Sequence, residues 1–181
     1  LQVLVECRHP FSLITKSALV LRDLDLIAPM ALEGRASVAV SVTTLDNRLK
    51  NQLEPRASGG RERLRTVREL ARAGVPVTVL VAPLIPFIND QELEDIVEQV
   101  AAAGARSAGY VMLRLPHEVG PLWEAWLRLH YPERAERVMS ALKGMHGGAS
   151  YDSRWHHRQR GRGPMADLLG RRFQVACQRH G

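Results

Sequence analysis

Cysteine is nearly absent: Cys7 and Cys177 are the only thiols in 181 residues. Two cysteines so far apart argue against a disulfide scaffold and a local metal motif, and they fit a reducing, cytoplasmic setting. Long apolar runs are missing too. Nothing approaches the roughly 20 residues that span a bilayer, so no membrane partner is expected. The stretch from Val75 to Ile88 is apolar, but Pro76, Pro83 and Pro86 divide it into a strand and a loop. No segment recurs at a fixed period. No Gly-x-Gly-x-x-Gly follows a strand candidate, which weighs against dinucleotide binding. The first residues hold no basic segment followed by an apolar one, so no secretory leader is expected. Leu1 stands where an initiator Met would, and Leu1 to Cys7 reads as the closing turns of a helix with no cap before it. The expectation is a fragment whose upstream half is absent.

What is present is ordinary in bulk and ordered in detail. Hydrophobic residues make up 45% and charged residues 24%, as in a soluble globular domain with a sizeable core. The formal net charge of +6 is concentrated toward the C-terminus and is weak evidence for a polyanionic partner.

From Phe11 to about His130 the pattern alternates strand and helix. Strands are predicted over Phe11 to Thr15, Ser37 to Val42, Val75 to Val81 and Ser107 to Leu113. Helices are predicted between them. Arg22 to Glu33 would turn Leu24, Ile27, Ala28 and Ala31 inward, and Arg61 to Ala73 would turn in Leu64, Val67, Leu70 and Ala71. Gln91 to Ala103, with Asp90 as its cap, would bury Leu93, Ile96, Val97 and Val100. The segment after the second strand, carrying Glu54-Pro55-Arg56 and Gly59-Gly60, reads as polar loop. Continuous apolar strands alternating with amphipathic helices predict a parallel sheet covered by helices. Beyond His117, helices are predicted over Val119 to His130, Glu133 to Lys143 and Ala166 to Cys177, with Gly144 to Pro164 as a loop.

In a parallel sheet the chemistry belongs at the C-terminal strand ends. Lys16 lies directly after the first strand, where an ammonium can bind a ligand carboxylate or, if desolvated, act as a Schiff-base nucleophile. An aldolase-like barrel using Lys16 in an apolar pocket is therefore one alternative. Another is a basic nucleic-acid-binding module built on Arg154 to Arg162, where Trp155, His156 and His157 stand among arginines.

An ordered series of strand-end motifs carries more than either. Ile14-Thr15-Lys16-Ser17, Val40-Ser41-Val42-Thr43-Thr44-Leu45-Asp46 and Leu53-Glu54-Pro55-Arg56-Ala57 come first. Ala82-Pro83-Leu84-Ile85-Pro86-Phe87-Ile88-Asn89-Asp90 and Tyr110-Val111-Met112-Leu113-Arg114-Leu115-Pro116-His117-Glu118 follow, with Gly161-Arg162-Gly163-Pro164 near the end. This series resembles the radical S-adenosylmethionine (SAM) proteins related to spore photoproduct lyase, within them the bacterial DNA-repair-photolyase-like group.

The resemblance implies a partial radical SAM (β/α)6 barrel, strands three to six, over residues 1–118. A helical and basic extension would occupy residues 119–181. It implies SAM and a [4Fe-4S] cluster as cofactors, the cluster on a three-cysteine loop absent from this chain. SAM cleaved at that cluster would yield a 5′-deoxyadenosyl radical, with an electron from a reductant such as flavodoxin or ferredoxin. A lyase reaction, with nucleic acid as a partner, is the analogy the family offers, and this chain alone would be inactive. Position by position, Lys16 and Ser41 match contacts to the methionine end of SAM, and Arg56 suits the same carboxylate. Pro83 to Asp90 occupies the place of a Gly-x-Ile-x-Gly-x-x-Glu segment against adenine. Ile85 fits there, Pro83 and Phe87 replace the glycines, and Phe87 is a poor residue for positive φ. Tyr110 lies on the strand ending near adenine or substrate.

Overall fold

The structure, a computed structural model, describes residues 1–148 and 159–180. Four strands, β1 (Phe11–Thr15), β2 (Ala36–Ser41), β3 (Val77–Leu84) and β4 (Ser107–Met112), form one sheet in the order β1-β2-β3-β4. β1 and β2 pair in parallel with Leu13 opposite Val38, and β2 and β3 do so with Val38 opposite Val77. β4 continues in the same sense: Arg106 N–H donates to the Val77 carbonyl and Leu113 N–H to that of Leu84. The sequential parallel order matches the expectation, and β1 is an edge strand of this sheet.

The two faces of the sheet differ in chemistry. Ala36, Val38 and Val40 of β2 and Val77, Val79 and Val81 of β3 are all buried on one face, each valine contributing about 1.5 kcal/mol by leaving water. Two helices, α2 (Leu24–Leu32) and α4 (Gly60–Arg72), cover β2 there. The opposite face mixes hydroxyl and small side chains with apolar ones such as Ile14, which is exposed, and Leu80. Ser12 and Ser37 share a hydrogen bond of 2.8 Å, as do Thr78 and Ser107.

Helix α1 (Gln2–Glu6) precedes β1, and a 3-10 turn (Ala18–Asp23) leads into α2. Helix α3 (Asn47–Leu53) lies where the sequence pattern predicts polar loop. Its start is fixed by Asp46, whose carboxylate accepts the Arg48 N–H at 2.7 Å, and Leu49 is its buried residue. One buried leucine in seven residues is too little periodicity to announce a helix. Helix α5 (Leu93–Ala102) buries Leu93, Ile96, Val97 and Val100, as expected.

Helix α4 departs from expectation in its rotation. Its buried face is Arg63, Thr66, Val67 and Leu70, while Leu64 is half-buried. A guanidinium takes a place that hydrophobic periodicity assigns to leucine.

Helices α6 (Val119–His130), α7 (Pro132–Met145) and α8 (Pro164–His180) complete the chain. The predicted last two helices are extended at both ends, since a proline is tolerated in the first helical turn. Of the predicted basic tail, Arg154, Trp155, His156 and His157 lie outside the described residues.

Contacts group the chain into two compact units. One is built mainly from Leu1–Val81 and Asp95–Gly109, the other from Ala82–Glu94 and Tyr110–Arg179.

Candidate functional site

In the first unit the ends of β1 and β2 are drawn together by a carboxylate. β1 stops after Thr15 because Thr15 Oγ1 accepts the Ser17 N–H at 3.0 Å and Ser17 Oγ accepts that of Leu19 at 3.2 Å. Those two short-range bonds turn the chain and leave Lys16 at the strand end. Beyond β2, Thr43 and Thr44 stay buried. The chain returns through α3, which delivers Glu54. Helix α4 then starts in unusually close contact with this backbone. A Cβ on Gly60 would lie 2.8 Å from both the Leu45 Cα and the Thr44 carbonyl oxygen. Only glycine lets the first turn of α4 lie there, and that turn carries Arg63 inward.

Glu54 is the hub. Its Oε1 accepts from the Lys16 ammonium, and its Oε2 accepts from Arg63 Nη2 at 2.5 Å. Thr43 Oγ1 donates across both oxygens at 3.2 Å. Arg63, 2% exposed, also donates to the Ser41 carbonyl and the Ser58 carbonyl, both at 2.8 Å. A buried guanidinium is stable only when its donors are filled, and here the Ser41 and Ser58 carbonyls, the Glu54 carboxylate and, at 3.4 Å, the Thr43 hydroxyl do so. Burial alone would push the Glu54 carboxyl up. Hydrogen bonds from Lys16 and Arg63, together with their charges, outweigh it and hold the group below the usual carboxylate range. Two cations and one carboxylate leave the cluster with one net positive charge.

The predicted residues fall out unequally. Lys16 is in the cluster, with its side chain 41% exposed. Ser41 is buried and joined to the cluster through its carbonyl, by way of Arg63. Arg56 is exposed and makes no ion pair among the described residues. The Schiff-base alternative needs an apolar surround, whereas the Lys16 ammonium meets a carboxylate. Glu54 and Arg63 escaped assignment from sequence. Glu54 lies 38 residues from Lys16 along the chain, and Arg63 is one of several arginines on α4, so neither spacing nor composition singles them out.

In the second unit the segment after β3 makes a tight turn. Ile85 is fully buried, and its N–H donates to Asn89 Oδ1 at 2.7 Å. Asn89 Nδ2 donates to the Pro83 carbonyl at 2.9 Å. Phe87 has φ of +63°, the left-handed region a glycine would occupy without strain. Three contacts hold it there. Asp90 Oδ1 accepts its N–H at 2.7 Å, Arg134 donates to its carbonyl at 3.1 Å, and the Arg137 guanidinium lies 4.0 Å from its ring centroid. Asp90 is therefore not the cap of the following helix. Its other oxygen pairs with Arg172 at 3.2 Å, and Arg172 also grips Glu94 at 2.7 and 2.8 Å. That grip holds the Glu94 carboxyl below the usual range. Tyr110 packs on Phe173, ring centroids 5.0 Å apart, with Arg160 over its ring at 5.6 Å. A Cβ on Gly170 would lie 2.9 Å from the Tyr110 hydroxyl, so the glycine leaves that hydroxyl its space.

The donor set discriminates between the two cofactors the resemblance implies. An ammonium fixed at a strand end beside a hydroxyl suits the carboxylate of SAM. A cluster does not fit. Cys7 is exposed in the turn after α1, and Cys177 lies on α8 with burial pushing its thiol up. Among the described residues no three His, Cys, Asp or Glu side chains could hold a metal ion.

Comparison with known proteins agrees with the fold. The chain resembles a spore photoproduct lyase bearing a cysteine-to-serine substitution, with a TM-score of 0.56 at 16% identity over 94% of this chain and 47% of that one. It is 34% identical over 130 residues to an uncharacterized protein of Mycobacterium tuberculosis (strain H37Rv), covering 71% of this chain and 38% of that protein. It is 40% identical over 72 residues to the sporulation killing factor maturation protein of Bacillus subtilis, covering 40% of this chain and 17% of the other. The chain thus spans less than half the length of each of these proteins. The four-stranded parallel sheet is part of a radical SAM barrel. The Radical SAM superfamily model matches residues 3–100, which include β1, β2, β3 and the whole Lys16–Glu54–Arg63 cluster, and the chain belongs to that superfamily.

Proposed function

We propose that this chain supplies the SAM-positioning wall of a radical SAM enzyme. Lys16, Ser41 and Arg56 would hold the methionine carboxylate. The observation that supports this best is the Lys16 ammonium, half exposed at the C-terminal end of β1, where a parallel sheet presents its ligand groups. Arg56, exposed on the loop after α3, offers a planar fork to the same carboxylate.

The activity proposed for the whole enzyme is reductive cleavage of SAM to a 5′-deoxyadenosyl radical, the cluster and its thiolates lying outside this chain. Flavodoxin or ferredoxin is the proposed electron donor, and a lyase reaction is the class to test first. The chain by itself is proposed to be inactive.

The test is SAM affinity and 5′-deoxyadenosine yield in the reconstituted full-length protein, wild type against Lys16→Ala and Arg56→Ala. A charge-assisted contact contributes about 1.5–3 kcal/mol, so each variant is expected to bind SAM about tenfold to a hundredfold more weakly while retaining its cluster. Unchanged affinity and yield in both would overturn the site assignment.

A further inference from the structure

We propose that Glu54, locked by Arg63 and Thr43, is a positioning residue that holds the Lys16 ammonium ready for a ligand carboxylate. This rests on the reading of Lys16 as a carboxylate-binding group.

A lysine at a strand end is a mobile ligand. Its flexible four-carbon stem must give up rotamer freedom when it binds. Ordering it beforehand removes that cost from the binding step. Glu54 is suited to the task because it is itself immobile. Its side chain is 14% exposed, one oxygen lies 2.5 Å from the almost fully buried Arg63, and Thr43 bridges both oxygens. Arg63 is in turn fixed to the carbonyls of Ser41 and Ser58, the first being the last residue of β2. The ammonium is thereby referenced to the sheet through a chain of short contacts. It has three N–H donors, of which Glu54 takes one.

Charge gives the cluster its direction. If Glu54 only neutralised Lys16, the site would attract no anion. Arg63 supplies the second positive charge, so a carboxylate approaching Lys16 meets a net charge of +1 instead of zero. Arg63 is almost wholly inaccessible, so it acts through Glu54 and not on the ligand.

Two variants separate positioning from charge. Glu54→Asp keeps the carboxylate but shortens it by one methylene, so it cannot span Arg63 and Lys16 together. The double variant Glu54→Gln/Arg63→Met removes one charge of each sign and so keeps the net charge at +1. It also leaves no unpaired buried ion, so the fold is retained. The probe is S-adenosylhomocysteine, which keeps the carboxylate and cannot be cleaved. Affinity is read by calorimetry on the reconstituted full-length protein. Acylation of Lys16 is followed by mass spectrometry, with Lys50 and Lys143, the other two lysines of this chain, as internal references.

In the wild type the probe is expected to protect Lys16 from acylation. In both variants affinity is expected to fall about tenfold, with protection lost at the wild-type saturating concentration and unfolding still cooperative. Protection in the wild type with undiminished affinity in the double variant would overturn the positioning role and leave Lys16 as a ligand. Probe binding without protection of Lys16 in the wild type would overturn both.

Discussion

Two ionic clusters stand after strands of the same sheet, and they are built in opposite senses. After β1 and β2, the hub is a carboxylate, Glu54, between two cations. After β3, the hub is a cation, Arg172, between two carboxylates, Asp90 and Glu94. Counting these charges, the first cluster carries +1 and the second −1. The first keeps one partner, Lys16, half exposed, whereas the second spends its guanidinium on Asp90, Glu94 and the Asp90 carbonyl. One arrangement leaves donors available to a visitor. The other holds a turn in which Phe87 is strained. Ion pairing therefore serves two purposes in this chain, and the sign of the hub, with its burial, tells them apart.

The comparison can be broken most directly at Glu54. Glu54→Gln leaves Arg63 buried without its counter-ion, which is expected to cost roughly 3–5 kcal/mol, whereas the double variant with Arg63→Met should recover most of that loss. Urea unfolding measures both. Equal losses in the single and double variants would show that Arg63 is not the residue that depends on Glu54.

At the turn after β3 the next largest effect is expected from Asn89→Ala. Asn89 is fully buried and satisfies the Ile85 N–H and the Pro83 carbonyl, so its removal orphans two backbone groups. The expected cost is roughly 2–4 kcal/mol, again by urea unfolding. A loss under half of this would mean that the turn holds without it.

Arg172→Ala sharpens the contrast from the other side. Arg172 is 28% exposed and Glu94 40% exposed, so solvent screens the pair and the expected loss is only about 1–2 kcal/mol. A loss as large as that of Glu54→Gln would erase the distinction between the clusters.

Acid provides the mildest probe. Glu54 and Glu94 both have folded-state pKa values below their ordinary value of 4.5. Each therefore contributes stability that is complete above about pH 4.5 and is lost as pH falls through the lowered folded value. The midpoint of thermal unfolding should be flat from neutral pH to about pH 5 and then decline. Glu94→Gln should flatten that decline less than the double variant Glu54→Gln/Arg63→Met does, because Glu94 is the more exposed partner.

How much of this was legible beforehand follows from where the information lies. Strands β1 to β4 were readable as short apolar or small-residue runs, which are local signals, although β3 continues through Pro83 to Leu84 where the sequence predicts loop. Helix α5 was readable because its four buried positions keep helical spacing. The inward turn of Arg63 was not readable, since periodicity scores an arginine as solvent-facing and its acceptors come from three separate segments. Lys16 drew notice through its place after a strand. Glu54 did not, as its role exists only once α3 has returned the chain. Phe87 is a residue type unsuited to positive φ, yet it adopts that conformation because Asp90 and Arg134 hold the peptide on both sides.

The contact at Gly60 carries a consequence for how this sequence can drift. The missing side chain there lets the first turn of α4 lie against the backbone, and that turn carries Arg63 to Glu54. A lineage that replaced Gly60 would lift this turn and strand its arginine, losing the benefit of keeping it. A lineage that first lost Arg63 would still need the glycine, because the clash is with the Leu45 and Thr44 backbone. Across descendants of this gene, position 63 should therefore follow changes at position 60, while position 60 should hold when 63 alone changes.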